Sequence, residues 1–322
     1  MGYASRDLIL SLSLMLAIAN IVLPVFALII AGYLLRLKNI LSETASKELN
    51  RFVVYLALPA LMIDILINSS WHELYQPGFL GAFELGVFII FFAVLGIHWI
   101  RSKNLVSATI DATSASYANT GYIGIPLCAL TFGADKLAPT MVSAILTVSA
   151  NFAASIIFIE MGSKSGKNIL TTIKNVSVSL CKNPLIVAPV LAGLLMVSGY
   201  HLPYGVTQSV KILSGAASPC ALVATGIFLA ERQEKTSAGI SIELTFLKLI
   251  VQPLIVWFLA FYVFDMPSLW AKSAVILSAL PTGTGPFMLA ELYGKGGGIA
   301  SRTIFLSTLF GILTLSVWLT FI

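Results

Sequence analysis

An interrupted apolar segment constrains this chain more than any other feature. Residues 111–133 read DATSASYANTGYIGIPLCALTFG and lie within a longer apolar stretch. Their centre carries Asn119, Thr120, Gly121, Gly124 and Pro126, a poor composition for an unbroken helix. Proline in a helix interior removes a donor and clashes with the preceding turn, at a cost of about 3 kcal/mol, and glycine adds a backbone entropy cost. In hydrocarbon the freed amides and carbonyls have no water to turn to. A break there persists only if it is buried in protein or lines a wet cavity. Discontinuous helices at membrane depth commonly build the substrate site of secondary transporters. A second such segment, LSALPTGTGPFMLAELYG at 277–294, contains Pro281 and Pro286.

The setting of these breaks is a membrane. The 322 residues are 58% hydrophobic and only 10% charged, with a mean hydropathy of +0.94. That balance excludes a soluble domain and fits an all-α polytopic membrane protein, with the lipid bilayer as its surroundings. The net charge of +5 comes from basic residues scattered singly over loops, so no nucleic-acid partner is expected. Cys128, Cys181 and Cys220 lie in separate segments and form no C-x-x-C pair. No metal site, disulfide framework or cofactor is expected. The first apolar run has no small-residue cleavage site and is expected to be retained.

Runs of about 20 apolar residues suffice to span. They fall at 20–36, 51–68, 79–100, 105–132, 138–161, 184–199, 212–230, 243–264, 272–293 and 299–320. Residues 1–19 are an N-terminal extension or the start of the first helix. One set of loops holds Arg36, Lys38, Lys47, Arg51, Arg101, Lys103, Lys164, Lys167, Lys174, Lys182, Arg232, Lys235, Lys295 and Arg302. The other set holds only Arg6, Lys136, Lys211 and Lys272. The positive-inside rule then puts both termini outside and the 162–183 linker in the cytoplasm. Trp71, Tyr75, Trp99, Tyr200, Tyr204 and Trp270 stand near span ends, as an interfacial aromatic belt requires.

The chain repeats itself. AGYLL at 31–35 echoes AGLLM at 192–196, and Pro59-Ala-Leu echoes Pro219-Cys-Ala-Leu. Pro126 echoes Pro286, and Gly133 echoes Gly294, all at offsets of 160 or 161 residues. This divides the chain into a first five-helix unit at 20–161 and a second at 184–322. An odd number of spans per unit inverts the second copy. The fourth and ninth spans then cross as broken helices, and their second halves present N-termini from opposite sides. Each N-terminus offers unpaired N–H groups and about half a positive charge. Pro126 and Pro286 suit the first turn of such a half, where no donor is needed. Two such tips facing one point make an anion site.

NTGYIGIP at 119–126 resembles the fourth-helix motif of the auxin efflux carrier family, which includes plant PIN-type carriers and bacterial malonate and malate permease-like proteins. FLKLIVQPL at 246–254, the break at 281–286 and the AELYG ending at 290–294 are similar too, so the resemblance covers nearly the whole chain. The short 162–183 loop looks bacterial, which implies the inner (plasma) membrane. The resemblance implies the fold of bile-acid/sodium symporters: ten transmembrane helices in two inverted five-helix repeats, often as a homodimer. Spans 1, 2, 6 and 7 would form a scaffold, and spans 3–5 and 8–10 a mobile domain with elevator-type alternating access. It also carries a substrate role onto Asn119 and the two crossover prolines. Pro281 stands where an Asn equivalent would be, so the site is asymmetric and substrate identity does not carry over.

The candidate substrate-binding residues are Asn119, Thr120, Gly121, Tyr122 and Pro126 in the first break, and Pro281, Thr282, Gly283, Thr284, Gly285 and Pro286 in the second. Asn119 can donate to a carboxylate, or it can serve as interhelical glue. The hydroxyls can equally cap local backbone, and the glycines chiefly permit unwinding. Coupling or counter-charge candidates are Glu84, Asp111, Asn151, Lys248, Gln252 and Glu291. Intramembrane acids cost about 2.5–3.5 kcal/mol at mid-bilayer and so require a reason; Asp64 is another such acid. Lys248, about four residues from the predicted inner end, is expected first to snorkel. Gln252, one turn deeper, is expected as polar lining, and Asn151 as packing glue. His72, His98 and His201 are expected at the surface, without metal-site spacing.

These observations favour a secondary transporter of small organic anions: mono- or dicarboxylates or auxin-like acids. An intramembrane enzyme needs paired acids, a Ser-Lys pair or H-E-x-x-H, and the sequence offers none. A receptor or sensor on a transporter fold, and a proton- or sodium-coupled symporter of the same fold, are the alternatives.

Overall fold

The computed structural model describes residues 2–42, 44–68, 74–163, 174, 177–178, 181–182, 184–199, 202–230 and 238–322, with side chains from residue 19 onward. Trp71, His72, Lys164, Lys167, Tyr200, His201, Arg232, Lys235 and most of the 162–183 linker lie outside the described residues. Among the described residues every regular element is helical. Seven helices of the described residues are long and apolar enough to cross a membrane. They are α1 (Gly2–Leu37, qualifying over Ala19–Leu37), α2 (Ala45–Ile67), α3 (Pro77–Ser102), α6 (Ala138–Gly162), α8 (Tyr204–Leu229), α9 (Ala238–Val263) and α12 (Gly297–Phe321). The chain is thus a multi-pass helical membrane protein.

The remaining helices are shorter: α4 (Leu105–Ser116), α5 (Thr120–Phe132), α7 (Pro184–Ser198), α10 (Ser268–Ser278) and α11 (Gly285–Tyr293). α4 and α5 divide the predicted span 105–132, and α10 and α11 divide 272–293. Both second halves stop at a glycine with positive φ, Gly133 (105°) and Gly294 (64°), a conformation that side chains resist. Residues 7–19 continue α1 without interruption.

Three prolines sit two residues beyond a π turn. Val53–Ala57 precedes Pro59, Thr120–Gly124 precedes Pro126, and Leu247–Val251 precedes Pro253. A wider turn accommodates the pyrrolidine ring and the missing donor, so these helices continue through their prolines.

α1 packs on α8, and α7 and α8 pack on α2, while α3, α4, α6, α9, α10, α11 and α12 form a second group that meets the first where α12 touches α1 and α6 touches α7. α5 touches α1 and α8 on one side and α6 on the other. Between α1 and α8 the backbones meet: a Cβ on Gly226 would stand 1.9 Å from the Ile29 carbonyl oxygen. Small residues allow such approach between helices in lipid, where dispersion contact drives association. Within the second group, Trp270 is buried and meets Phe79 edge-on at 5.0 Å. It is therefore a core residue and not part of an interfacial belt, whereas Tyr75, Trp99 and Tyr204 are exposed.

Candidate functional site

The two breaks lie side by side. The Asn119 N–H donates to the Pro281 carbonyl at 2.9 Å, and the Gly283 N–H donates to the Tyr117 carbonyl at 3.0 Å. Ala118 and Thr282 thereby form an isolated antiparallel bridge. Each interruption frees backbone groups that apolar surroundings cannot solvate, and pairing one break with the other satisfies part of both.

The severed C-terminal ends of α4 and α10 are closed by side chains. Thr282 Oγ1 donates to the Ser114 carbonyl at 2.8 Å, and Gln252 Nε2 donates to the Ser116 carbonyl at 3.1 Å. Lys248 Nζ donates to the Ser278 carbonyl at 2.5 Å. Lys248 and Gln252 are fully buried, which overturns the snorkelling expectation for Lys248. The reason is the severed helix end: its last carbonyls have no donor within the helix, and the Lys248 nitrogen supplies one. Asn151, also buried, donates from Nδ2 to Ser116 Oγ at 3.3 Å. The carbonyl oxygens Asn151 Oδ1 and Gln252 Oε1 have no partner.

The N-terminal ends differ from the expected pair of bare tips. Asn119 Oδ1 accepts the Tyr122 N–H at 3.3 Å, and the Asn119 carbonyl accepts from Ile123 and Gly124 at 3.2 and 3.0 Å. α5 is therefore capped from within and begins six residues before Pro126. The π turn explains why Pro126 neither opens the helix nor sits in its first turn. Pro286 does occupy the first turn of α11, whose N-cap Thr284 makes no side-chain cap.

One atom is left over. Asn119 Nδ2 is buried without a partner, on a residue only 5% exposed. Asn119 belongs to the lining of a small cavity at the crossover, with a water-accessible volume of about 90 Å³. Thr120, Gly121 and Tyr122 line it from the first break, and Gly283, Thr284 and Gly285 from the second. Pro126, Pro281, Thr282 and Pro286 are not in its lining; Thr282 is engaged with Ser114 and Ser307. The remaining wall is apolar, including Leu58, Met62 and Phe152, and no charged side chain takes part. Tyr117, which the sequence analysis did not single out, also lines the cavity. A Cβ on Gly285 would lie 2.7 Å from its ring, so glycine there lets the ring seat against the break.

A wider recess of about 690 Å³ adjoins, sharing Tyr122, Thr284 and Met288 with the cavity and extending to Lys47 and Glu291. The Tyr122 hydroxyl, hydrogen-bonded to Asn50 Oδ1, stands between the two spaces. A recess of about 700 Å³ with Asp64, Asp135, Lys136 and Lys211 is lined by none of the crossover residues. Glu84, on α3, is half-buried with both carboxylate oxygens unpartnered, and it too is outside the cavity lining. Asp111 is buried and bonded to His98 at 2.9 Å. His98 is only 5% exposed, so its expected surface position is wrong. The tight Lys103–Asn104 connection folds α4 back along α3 and brings these two residues together.

A family model for membrane transport proteins matches residues 17–319. The resemblance carried by the NTGYIGIP and AELYG motifs therefore holds over most of the chain. A Rhizobium meliloti (strain 1021) protein named "Putative malonate transporter" is 28% identical over 307 residues, 94% of this chain and 95% of that protein. An "Uncharacterized transporter" of Methanocaldococcus jannaschii is 24% identical over 307 residues, 93% of this chain and 97% of its own length. Escherichia coli K12 "Uncharacterized transporter YfdV" is 24% identical over 306 residues, 92% and 95% of the two chains. These matches identify a membrane transporter and not an enzyme.

Proposed function

We propose that this chain, which belongs to the auxin efflux carrier family of membrane transport proteins, carries a small organic anion bound at the crossover cavity. The observation that carries this reading is Asn119. Its side-chain oxygen is used in capping α5, while its Nδ2 is buried and unpartnered on a residue that lines the cavity. A buried donor without a partner costs about 1–3 kcal/mol, and a carboxylate oxygen would relieve that cost.

The lining has no basic side chain and a mostly apolar wall. This favours one carboxylate on a short apolar body. A dicarboxylate such as malonate, named for the Rhizobium relative, would bring a second charge with no partner there.

The wider architecture we infer is ten spans in two inverted repeats, with both termini outside. The Lys47 and Glu291 recess then opens to the cytoplasm, so the described conformation faces inward. The packing of α1 on α8, and of α7 and α8 on α2, supports a scaffold against which the rest moves as an elevator; the homodimer is what the family resemblance implies. Counterflow in proteoliposomes tests the function. Vesicles loaded with a short monocarboxylate should accumulate labelled acid transiently, and malonate should compete less well. Absence of trans-stimulation by every small carboxylate would refute the carrier reading.

A further inference from the structure

Away from the crossover, three helices bring four charged or titratable side chains into a row. Asp111 on α4 meets His98 Nδ1 on α3 at 2.9 Å. His98 Nε2 faces Glu243 Oε1 on α9 at 3.7 Å, and Glu243 pairs with Arg101 at 3.3 Å. Exposure falls from Arg101 through Glu243 to the buried His98 and Asp111 pair. The side chains of Arg101 and Glu243 are 62% and 38% exposed, and those of His98 and Asp111 are 6% and 8%. His98 Nε2 is buried without a hydrogen bond.

The chemistry of imidazole makes this row a proton site. A neutral ring has one N–H and one lone pair, yet both ring nitrogens here face carboxylates. Only the imidazolium presents a proton to each. The charges agree: Arg101, Glu243 and Asp111 sum to minus one, and a proton on His98 brings the group to zero. Buried charge is costly unless it is compensated.

We propose that His98, held between Asp111 and Glu243, is a proton-binding site filled from the Arg101 side of the membrane, and that its occupancy sets the affinity of the crossover cavity. This rests on the transport function proposed above. α4 is the connection: it runs twelve residues, about 18 Å, and Asp111 lies one turn before Ser114, whose carbonyl holds Thr282. Release of the proton leaves Asp111 buried with uncompensated charge and loosens α4 at its middle. None of the four groups lines the Asp64 and Lys136 recess, so the site responds to pH on one side only.

The test uses the full chain. The sequence has three histidines, so ¹³C-labelled histidine NMR in nanodiscs gives three ring signals, with His98→Gln assigning one. The His98 signal should stay in the imidazolium form to higher pH than the other two, and Asp111→Asn should lower its midpoint. A neutral His98 throughout, or a midpoint unmoved by Asp111→Asn, would overturn the proposal. In oriented vesicles, raising pH on the Arg101 side from about 6 to about 8 should raise the apparent KM for counterflow by about threefold or more. The same change on the other side should do little, and His98→Gln should flatten the response. Equal responses on both sides, or a step retained in His98→Gln, would also overturn it. If the wild type shows no counterflow of any acid, the transport function fails and the NMR titration still decides the proton site.

Discussion

Lys248 and Gln252 stand one turn apart on α9, and each closes a different severed helix: Lys248 the end of α10 through Ser278, Gln252 the end of α4 through Ser116. A single turn of one helix thus satisfies both C-terminal ends at the crossover. Replacing Gln252 by Leu leaves the Ser116 carbonyl unpaired, at a cost of about 1–3 kcal/mol. Gln252→Glu sets a carboxylate against that carbonyl and should destabilise at least as much. Thermal unfolding in detergent should give lower midpoints for both variants, and unchanged midpoints would remove the capping role.

Asn119 has two duties, and two substitutions probe them. Asn119→Ala removes the cap as well as the cavity donor, so stability should fall by about 0.5–2 kcal/mol together with uptake. Asn119→Asp keeps an oxygen for the Tyr122 N–H but replaces the free donor with negative charge. Burying an uncompensated carboxylate is costly, so its unfolding midpoint should also fall, and counterflow should fall by about tenfold or more, as expected for a lost hydrogen bond to a charged group. Wild-type transport in Asn119→Asp would rule out a carboxylate at Nδ2.

Gly285 and Tyr117 set the shape of the cavity. Gly285→Ala drives a methyl group to 2.7 Å from the ring. Overpacking of this kind costs about 1–3 kcal/mol, and the ring can yield only by shifting at the cavity wall. Weaker substrate binding is expected, with partial recovery when Tyr117 is shortened to Leu in the same chain. A ligand-induced thermal shift measures both, and full binding by Gly285→Ala alone would contradict the packing.

Tyr122 stands between the cavity and the wider recess and is tied to Asn50. Tyr122→Phe keeps the ring and removes the tie, at a cost of about 0.5–1.5 kcal/mol. Faster exchange in counterflow is the expected outcome, with little change in which acids compete. An unchanged or slower rate would show that this contact does not limit access.

The two interruptions were legible because proline and glycine in an apolar run conflict with lipid wherever they occur. Their limits were less so. Pro126 was expected to open a helix, but the Thr120–Gly124 π turn absorbs it and moves the gap back to Tyr117–Asn119. Nothing local in the sequence signals a widened turn. The partners of Lys248 and Gln252 lie 30 and 136 positions away, so periodicity could show that the two share a face but not what that face meets. His98 departs from its expected surface position because nearness to a helix end is not contact with water. The short turn at Lys103–Asn104 folds α4 against it, and Asp111, 13 positions on, was the available clue.

Backbone stitching between Asn119 and Pro281 and between Tyr117 and Gly283 has a mechanical consequence. Neither interrupted helix can shift along its axis without dragging the other, so a displacement begun at either face of the membrane reaches both halves of the solute's seat at once. In the elevator movement proposed above, the two breaks therefore travel together as one cradle.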